Sequence, residues 1–147
     1  MARKKRVLFL CTGNSARSQM AEGFARAKGS DALAASSGGV SPKGIHPLTP
    51  QVMAERDVDI SAQTSKGFHP ADAAGADLVI TLCGNARDRC PVLPAGVDKR
   101  HWPLADPAAA PPESALAEFR RVRDEVEARV SDLVDEIRRQ AAAGAGS

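Results

Sequence analysis

Six residues in this chain could do chemistry together, and most of them cluster at strand ends. Cys11-Thr12-Gly13-Asn14-Ser15-Ala16-Arg17-Ser18 is a C-x5-R-S pattern. A cysteine thiolate is a strong nucleophile, and the planar fork of an arginine matches a tetrahedral oxyanion. The pattern lies between a short apolar run, Val7-Leu8-Phe9-Leu10, and a helical pattern over residues 17–28. Loop N–H groups from Thr12 to Arg17, with a helix N-terminus behind them, make an anion cradle. Gly13 is expected to supply unusual backbone angles there. The positive field favours the thiolate of Cys11, and Ser18 is placed to donate a hydrogen bond to it. The expected result is a nucleophile facing a bound oxyanion.

Two further cysteines, Cys83 and Cys90, and the Asp106-Pro107 pair complete the reactive set. Cys83 follows the buried run 78–82 and so also sits at a strand end. Cys90 is seven residues further on, a spacing unlike a C-x-x-C metal clip and suited to thiols that meet when the segment between them rearranges. Asp-Pro is a common turn, and a general acid at its Asp is compatible with that turn.

These groups need elements to hold them. Val7 to Leu10 reads as a buried parallel strand. Residues 32–37 are a weaker strand, 47–56 a helix, 78–82 a second clear buried strand, and 97–102 a fourth strand. Residues 113–140 carry the clearest helix: Leu116, Phe119, Val122, Val126, Val130, Leu133 and Ile137 form one apolar stripe. Residues 141–147 read as an unordered Gly/Ala tail. Strands alternating with helices indicate an α/β domain with a parallel sheet, here over residues 1–140.

The totals narrow the function. At 147 residues, 43% hydrophobic and 26% charged, the chain is one ordinary globular domain. A net charge of +2 gives no reason to expect nucleic acid, and Arg3-Lys4-Lys5-Arg6 reads as a solvated strand flank. No run is long enough for a membrane span or a signal peptide, so a cytoplasmic protein is expected. Three cysteines suit no fully paired secreted framework. His46 and His69 read as surface residues, and no metal is expected.

The residues from Val7 to Glu22 closely resemble the opening of the thioredoxin-coupled arsenate reductases, which share the low-molecular-weight protein tyrosine phosphatase fold. The resemblance continues through Thr81 to Pro94, His101-Trp102, Asp106-Pro107 and Phe119 to Glu125. It implies a single three-layer domain with a central four-stranded parallel sheet flanked by helices. It also implies a relay. Cys11 attacks arsenate while Asp106 protonates the leaving oxygen. Cys83 attacks Cys11, arsenite leaves, and Cys90 then takes the disulfide from Cys11. Thioredoxin, an external reductant, regenerates the thiols, with no bound cofactor. Phosphate and sulfate are expected competitors, and the chain is expected to act as a monomer.

The loop alone would not separate arsenate from phosphate, which share shape and charge. The second and third cysteines separate them, since a phosphomonoesterase has no use for a relay. The Pro107-Ala108-Ala109-Ala110 run lacks the aromatic residues with which the phosphatase relatives grip a phenyl ring. Hydrolysis of a phosphomonoester, needing only Cys11, Arg17 and Asp106, is the alternative activity. An oxyanion-binding or redox-sensing protein is the non-enzymatic one.

Two departures from the family stand out. Ala16 replaces a loop cysteine that some members carry. Some relatives bind potassium beside the loop with residues matching Asn14, Glu22 and Ser37 plus an Asp, and at that Asp this chain has Lys66. The expectation is that the Lys66 ammonium takes the cation's place, paired with Glu22 and hydrogen-bonded to Asn14.

Overall fold

A computed structural model describes residues 4–84 and 96–145. Its element order is β1 (Lys5–Cys11), α1 (Arg17–Gly29), β2 (Leu33–Gly39), α2 (Leu48–Ala54), α3 (Pro70–Ala74), β3 (Leu78–Thr81), β4 (Lys99–His101) and α4 (Ala115–Ala145), with single 3-10 turns at Pro107–Ala109 and Pro112–Ser114. The four strands form one parallel sheet in the order β2-β1-β3-β4.

The apolar runs explain the layers. Alternate side chains of β1 point to opposite faces. Val7, Phe9 and Cys11 join Leu78, Ile80 and Leu82 under α1 and α4. Leu8, Leu10 and Val79 face the other way, against Ala73 of α3. The stripe of α4 is buried from Phe119 to Ile137, as its spacing predicts, and each such side chain contributes roughly 1.5–3 kcal/mol on burial.

Several boundaries differ from the sequence expectation. β4 keeps only three residues, Lys99–His101, all exposed, with Trp102 just past its end donating its N–H to Thr81 O (2.8 Å). α4 begins two residues late, after the Pro112–Ser114 turn, and runs on to Ala145. Ala141 to Ala143 are strong helix formers and extend a helix already nucleated, so the tail expected to be unordered is helical as far as Ala145. The short α3, not expected, starts at Pro70 with Asp72 accepting the backbone N–H of His69.

The topology fixes where ligands go. The chain leaves β1 for β2 on one side and reaches β3 on the other, so the carboxyl end of β1 is a switch point, where open α/β sheets bind ligands. Cys11 is the last residue of β1. β3 is its direct neighbour, and Cys83 lies two residues past the end of β3.

Candidate active site

The loop after β1 is held from outside by its carbonyls. Cys11 O accepts from Val40 N (3.3 Å), Thr12 O from Ser41 N (2.9 Å) and Gly13 O from Lys43 N (3.0 Å). Asn14 O accepts from the Gln19 amide (3.1 Å), and Ser15 O from both His46 N (3.1 Å) and the Thr49 hydroxyl (2.8 Å). In a planar trans peptide the C=O and the following N–H point opposite ways. Carbonyls pinned outward therefore turn the N–H groups of Thr12 to Ala16 inward. Asn14 N–H, one of these, lies 3.2 Å from Cys11 Sγ and donates to it. α1 begins behind them at Arg17, and its N-cap residue Ala16 has no side-chain cap to occupy the first N–H groups.

The left-handed residue of the loop is Asn14, at φ 46°, rather than Gly13. Asparagine tolerates this region better than most residues, and here its side chain is fully used. Asn14 Oδ1 accepts from the Gln19 amide (2.9 Å) and from the backbone N–H of Lys66 (2.8 Å). Asn14 Nδ2 donates to Ser18 Oγ at 2.7 Å. Ser18 Oγ in turn lies 2.9 Å from Cys11 Sγ, and its hydroxyl is free to donate to a thiolate there. Cys11 is 2% exposed and carries a free thiol.

Arg17 is also buried. Its guanidinium donates to Leu82 O and Leu104 O, both at 3.1 Å, tying the loop ends after β3 and β4 to the start of α1. Its other arm lies 3.8 Å from Asp106, whose second oxygen accepts from Ala108 N (3.0 Å) at the start of the 3-10 turn. Cys11, Thr12, Gly13, Ser15, Ala16, Arg17 and Asp106 line one cleft of about 250 Å³, with Lys43, Ala108 and Ala109 at its walls. The expected nucleophile, oxyanion loop and acid thus converge. Cys83 is buried, next along the chain to Leu82, whose carbonyl Arg17 holds, and is disulfide-bonded. Cys90, the third expected thiol, lies outside the described residues.

The loop-stabilising set assembles with one change. Ser37 donates to Glu22 (2.5 Å), and the Lys66 ammonium lies 3.5 Å from Glu22 and donates to Ser37 Oγ (3.4 Å) and Thr64 O (2.9 Å). The ammonium does pair with Glu22. The bond to Asn14, however, comes from the Lys66 main chain and not from its ammonium, because the Asn14 amide oxygen faces the 64–66 backbone. Glu22 is 2% exposed and also meets Arg26 at 3.0 Å, so this buried carboxylate has two cationic partners. Among the described residues no three His, Cys, Asp or Glu side chains converge on a metal position.

Several positioning residues carry no local sequence signal. Gln19 is wholly buried and reaches Asn14 and Thr64, while Gln63 donates back to Gln19 (2.8 Å). His46, expected at the surface, stacks on Phe119 with ring centroids 4.6 Å apart and accepts from Leu48 N (3.1 Å). His69 is exposed. Gly39 is needed for space: a Cβ there would meet Asn14 N and Thr12 O at 2.7 Å.

A thiol at a parallel strand end, among N–H groups turned inward and beside a buried arginine, is an arrangement able to receive a tetrahedral oxyanion. The chain belongs to the low molecular weight phosphotyrosine protein phosphatase family, whose model matches residues 6–143. Its relatives include the arsenate reductase of Bacillus licheniformis, 47% identical over 90% of this chain and 96% of that protein. A solved arsenate reductase in the phosphate-binding state superposes with a TM-score of 0.72 at 37% identity, covering 90% of this chain and 98% of the other. The thioredoxin-dependent arsenate reductase of Corynebacterium glutamicum superposes with a TM-score of 0.75 at 27% identity, covering 95% of this chain and 64% of that one.

Proposed function

We propose that this protein reduces arsenate to arsenite by a thiol relay. Arsenate enters the cleft with its oxygens on the inward N–H groups and Arg17. Cys11 Sγ attacks arsenic, an As–S bond forms, and an oxygen leaves as water after taking a proton from Asp106. Cys83 then attacks Cys11 Sγ. An S–S bond forms, the As–S bond breaks with its electron pair, and As(V) departs as As(III). Cys90 attacks Cys83, restoring the Cys11 thiolate, and an external dithiol protein of the thioredoxin kind reduces the remaining disulfide.

The observation that carries this reading is the second thiol. Cys83 sits at the end of the strand next to Cys11, and it is disulfide-bonded while Cys11 is free. That division is the one the last internal step leaves. The small wall of Ala108 and Ala109 supports a compact inorganic substrate over an aryl ester. The same reading places the protein in a reducing cytoplasm, as a monomer needing no bound cofactor. It also makes the Lys66 ammonium the resident cation beside the loop. On that account, activity and melting temperature respond alike to potassium and to matched sodium, and a gain specific to potassium overturns it.

The deciding experiment follows NADPH oxidation with thioredoxin and thioredoxin reductase, with and without arsenate. Arsenate-dependent turnover in the wild type, lost in Cys90→Ser, is expected. Turnover that survives Cys90→Ser overturns the relay. Hydrolysis of an aryl phosphate without arsenate-dependent turnover assigns the cleft to a phosphatase instead.

A further inference from the structure

We propose that Lys43 is a specificity-determining residue of this cleft, supplying the second positive charge that a dianionic tetrahedral oxyanion needs. The proposal deepens the reading above, and rests on it only for the identity of the anion.

Lys43 lines the cleft with Cys11, Arg17 and Asp106. Its root is fixed, because its N–H donates to Gly13 O at 3.0 Å. Its stem lies across Gly13: a Cβ built on that glycine would stand 3.4 Å from Lys43 Cδ and 3.5 Å from Cγ. A lysine whose stem is laid along the loop carries its ammonium over the loop's mouth. Yet Lys43 is exposed and pairs with no carboxylate within 4.0 Å among the described residues.

The other cations nearby are engaged. Arg17 donates to two carbonyls and faces Asp106, and Lys66 is paired with Glu22. A Cys11 thiolate and a dianion together bring three negative charges into the cleft. Against them stand Arg17 and a helix N-terminus equivalent to roughly half a charge. Among the described residues Lys43 is the remaining cation on the wall, and its charge acts where the anion enters. Arsenite is uncharged at neutral pH, so the same lysine holds substrate without holding product.

The test uses inorganic phosphate as a non-reacting dianion, titrated calorimetrically into the reduced full-length protein at low and high salt. Lys43→Met keeps the stem over Gly13 and removes the charge. Phosphate binding should weaken roughly three- to tenfold at low salt, with a shallower salt dependence. Lys43→Arg should restore it. Lys99→Met, which removes an exposed charge at the start of the edge strand β4, away from the cleft lining, should leave it unchanged. In turnover, Lys43→Met should raise KM for arsenate by the same factor and change kcat less. Unchanged phosphate affinity in Lys43→Met, or an equal loss in Lys99→Met, overturns the proposal. Phosphate binding needs no turnover, so a wild type that binds phosphate but reduces no arsenate defeats the reductase reading and still reports on Lys43.

Discussion

Two polar networks hold this molecule together, and they are built on different principles. Around Asn14 the links are mostly uncharged amides and hydroxyls, buried at Gln19 and Ser18 and half-buried at Gln63, together with the loop carbonyls. At the joint of α2 and α4 the links are charges, near the surface except for the buried Arg123. Arg120 grips Glu55 at 2.7 Å, Arg123 donates to Glu55 and to Val52 O, and Arg56 meets Asp124 at 2.8 Å. A buried neutral network fixes geometry, because losing one member strands a partner without water to replace it. A surface ion-pair network fixes two helices, and its strength varies with pH and salt. The first should therefore govern activity and the second stability under changed conditions.

The largest effects should come from the first network and the thiol it serves. Cys11→Ser should remove arsenate-dependent turnover by on the order of 10⁴-fold or more, since a nucleophile has no substitute in the cleft. Circular dichroism should show an intact fold. Gly39→Ala comes next. Its new Cβ would press on Asn14 N and Thr12 O at 2.7 Å, both main-chain atoms that cannot swing away. We expect a loss of about 1–3 kcal/mol in urea unfolding. Because the displaced atoms belong to the cradle, kcat should fall on the order of 10²-fold. A stability loss with unchanged kcat would separate the loop from Gly39. Asn14→Ala should also cost about 1–3 kcal/mol, by stranding the Lys66 N–H and placing an alanine at a left-handed φ. With the donor to Ser18 lost, alkylation of Cys11 at neutral pH should slow.

The two networks were not equally legible in the chain. Cys11, Arg17 and Ser18 declared themselves because their chemistry depends on local spacing between a strand and a helix. The sheet was equally plain, since Val7 to Leu10 and 78–82 are apolar runs of strand length. Gln19 and Gln63 gave no signal, because an amide binds whatever the fold brings to it, and 44 positions separate their hydrogen-bonded side chains. Lys66 was half legible. Its ammonium meets Glu22 as charge complementarity suggests, but the bond to Asn14 is made by its main chain, which carries no side-chain signature. Gly13 was the natural candidate for the left-handed position, and Asn14 took it because its side chain gains two acceptor bonds and one donor bond there. The Glu55 network was illegible for another reason. Phe119 to Glu125 shows charges on a helix, and only tertiary packing says which of them meets α2.

Thr49→Val is a smaller test of the first network. It removes one of two donors to Ser15 O while His46 N–H remains. We expect a loss of about 1 kcal/mol in unfolding free energy and a smaller fall in kcat than Gly39→Ala causes. A kcat effect equal to that of Gly39→Ala would mean that the Thr49 hydroxyl, more than loop packing, sets the cradle.

The smallest effect at neutral pH belongs to the second network and appears on acidification. Glu55 is held down to about 2 from its ordinary 4.5, chiefly by the Arg120 hydrogen bond and then by Arg123. Its folded form binds a proton less readily than its unfolded form, so its contribution is complete above about 4.5 and is lost as pH falls toward about 2. Asp124, lowered first by Arg56, is affected in the same direction. Both carboxylates will make the wild type melt lower in acid, so the difference between variants is the informative quantity. Glu55→Gln should melt below the wild type at pH 7, and the gap should close as pH falls through this window. One molar salt should narrow the gap at pH 7 by screening the exposed pair. A gap that persists at pH 2 would show that Glu55 acts through packing rather than charge, and the contrast between the two networks would fail at that joint.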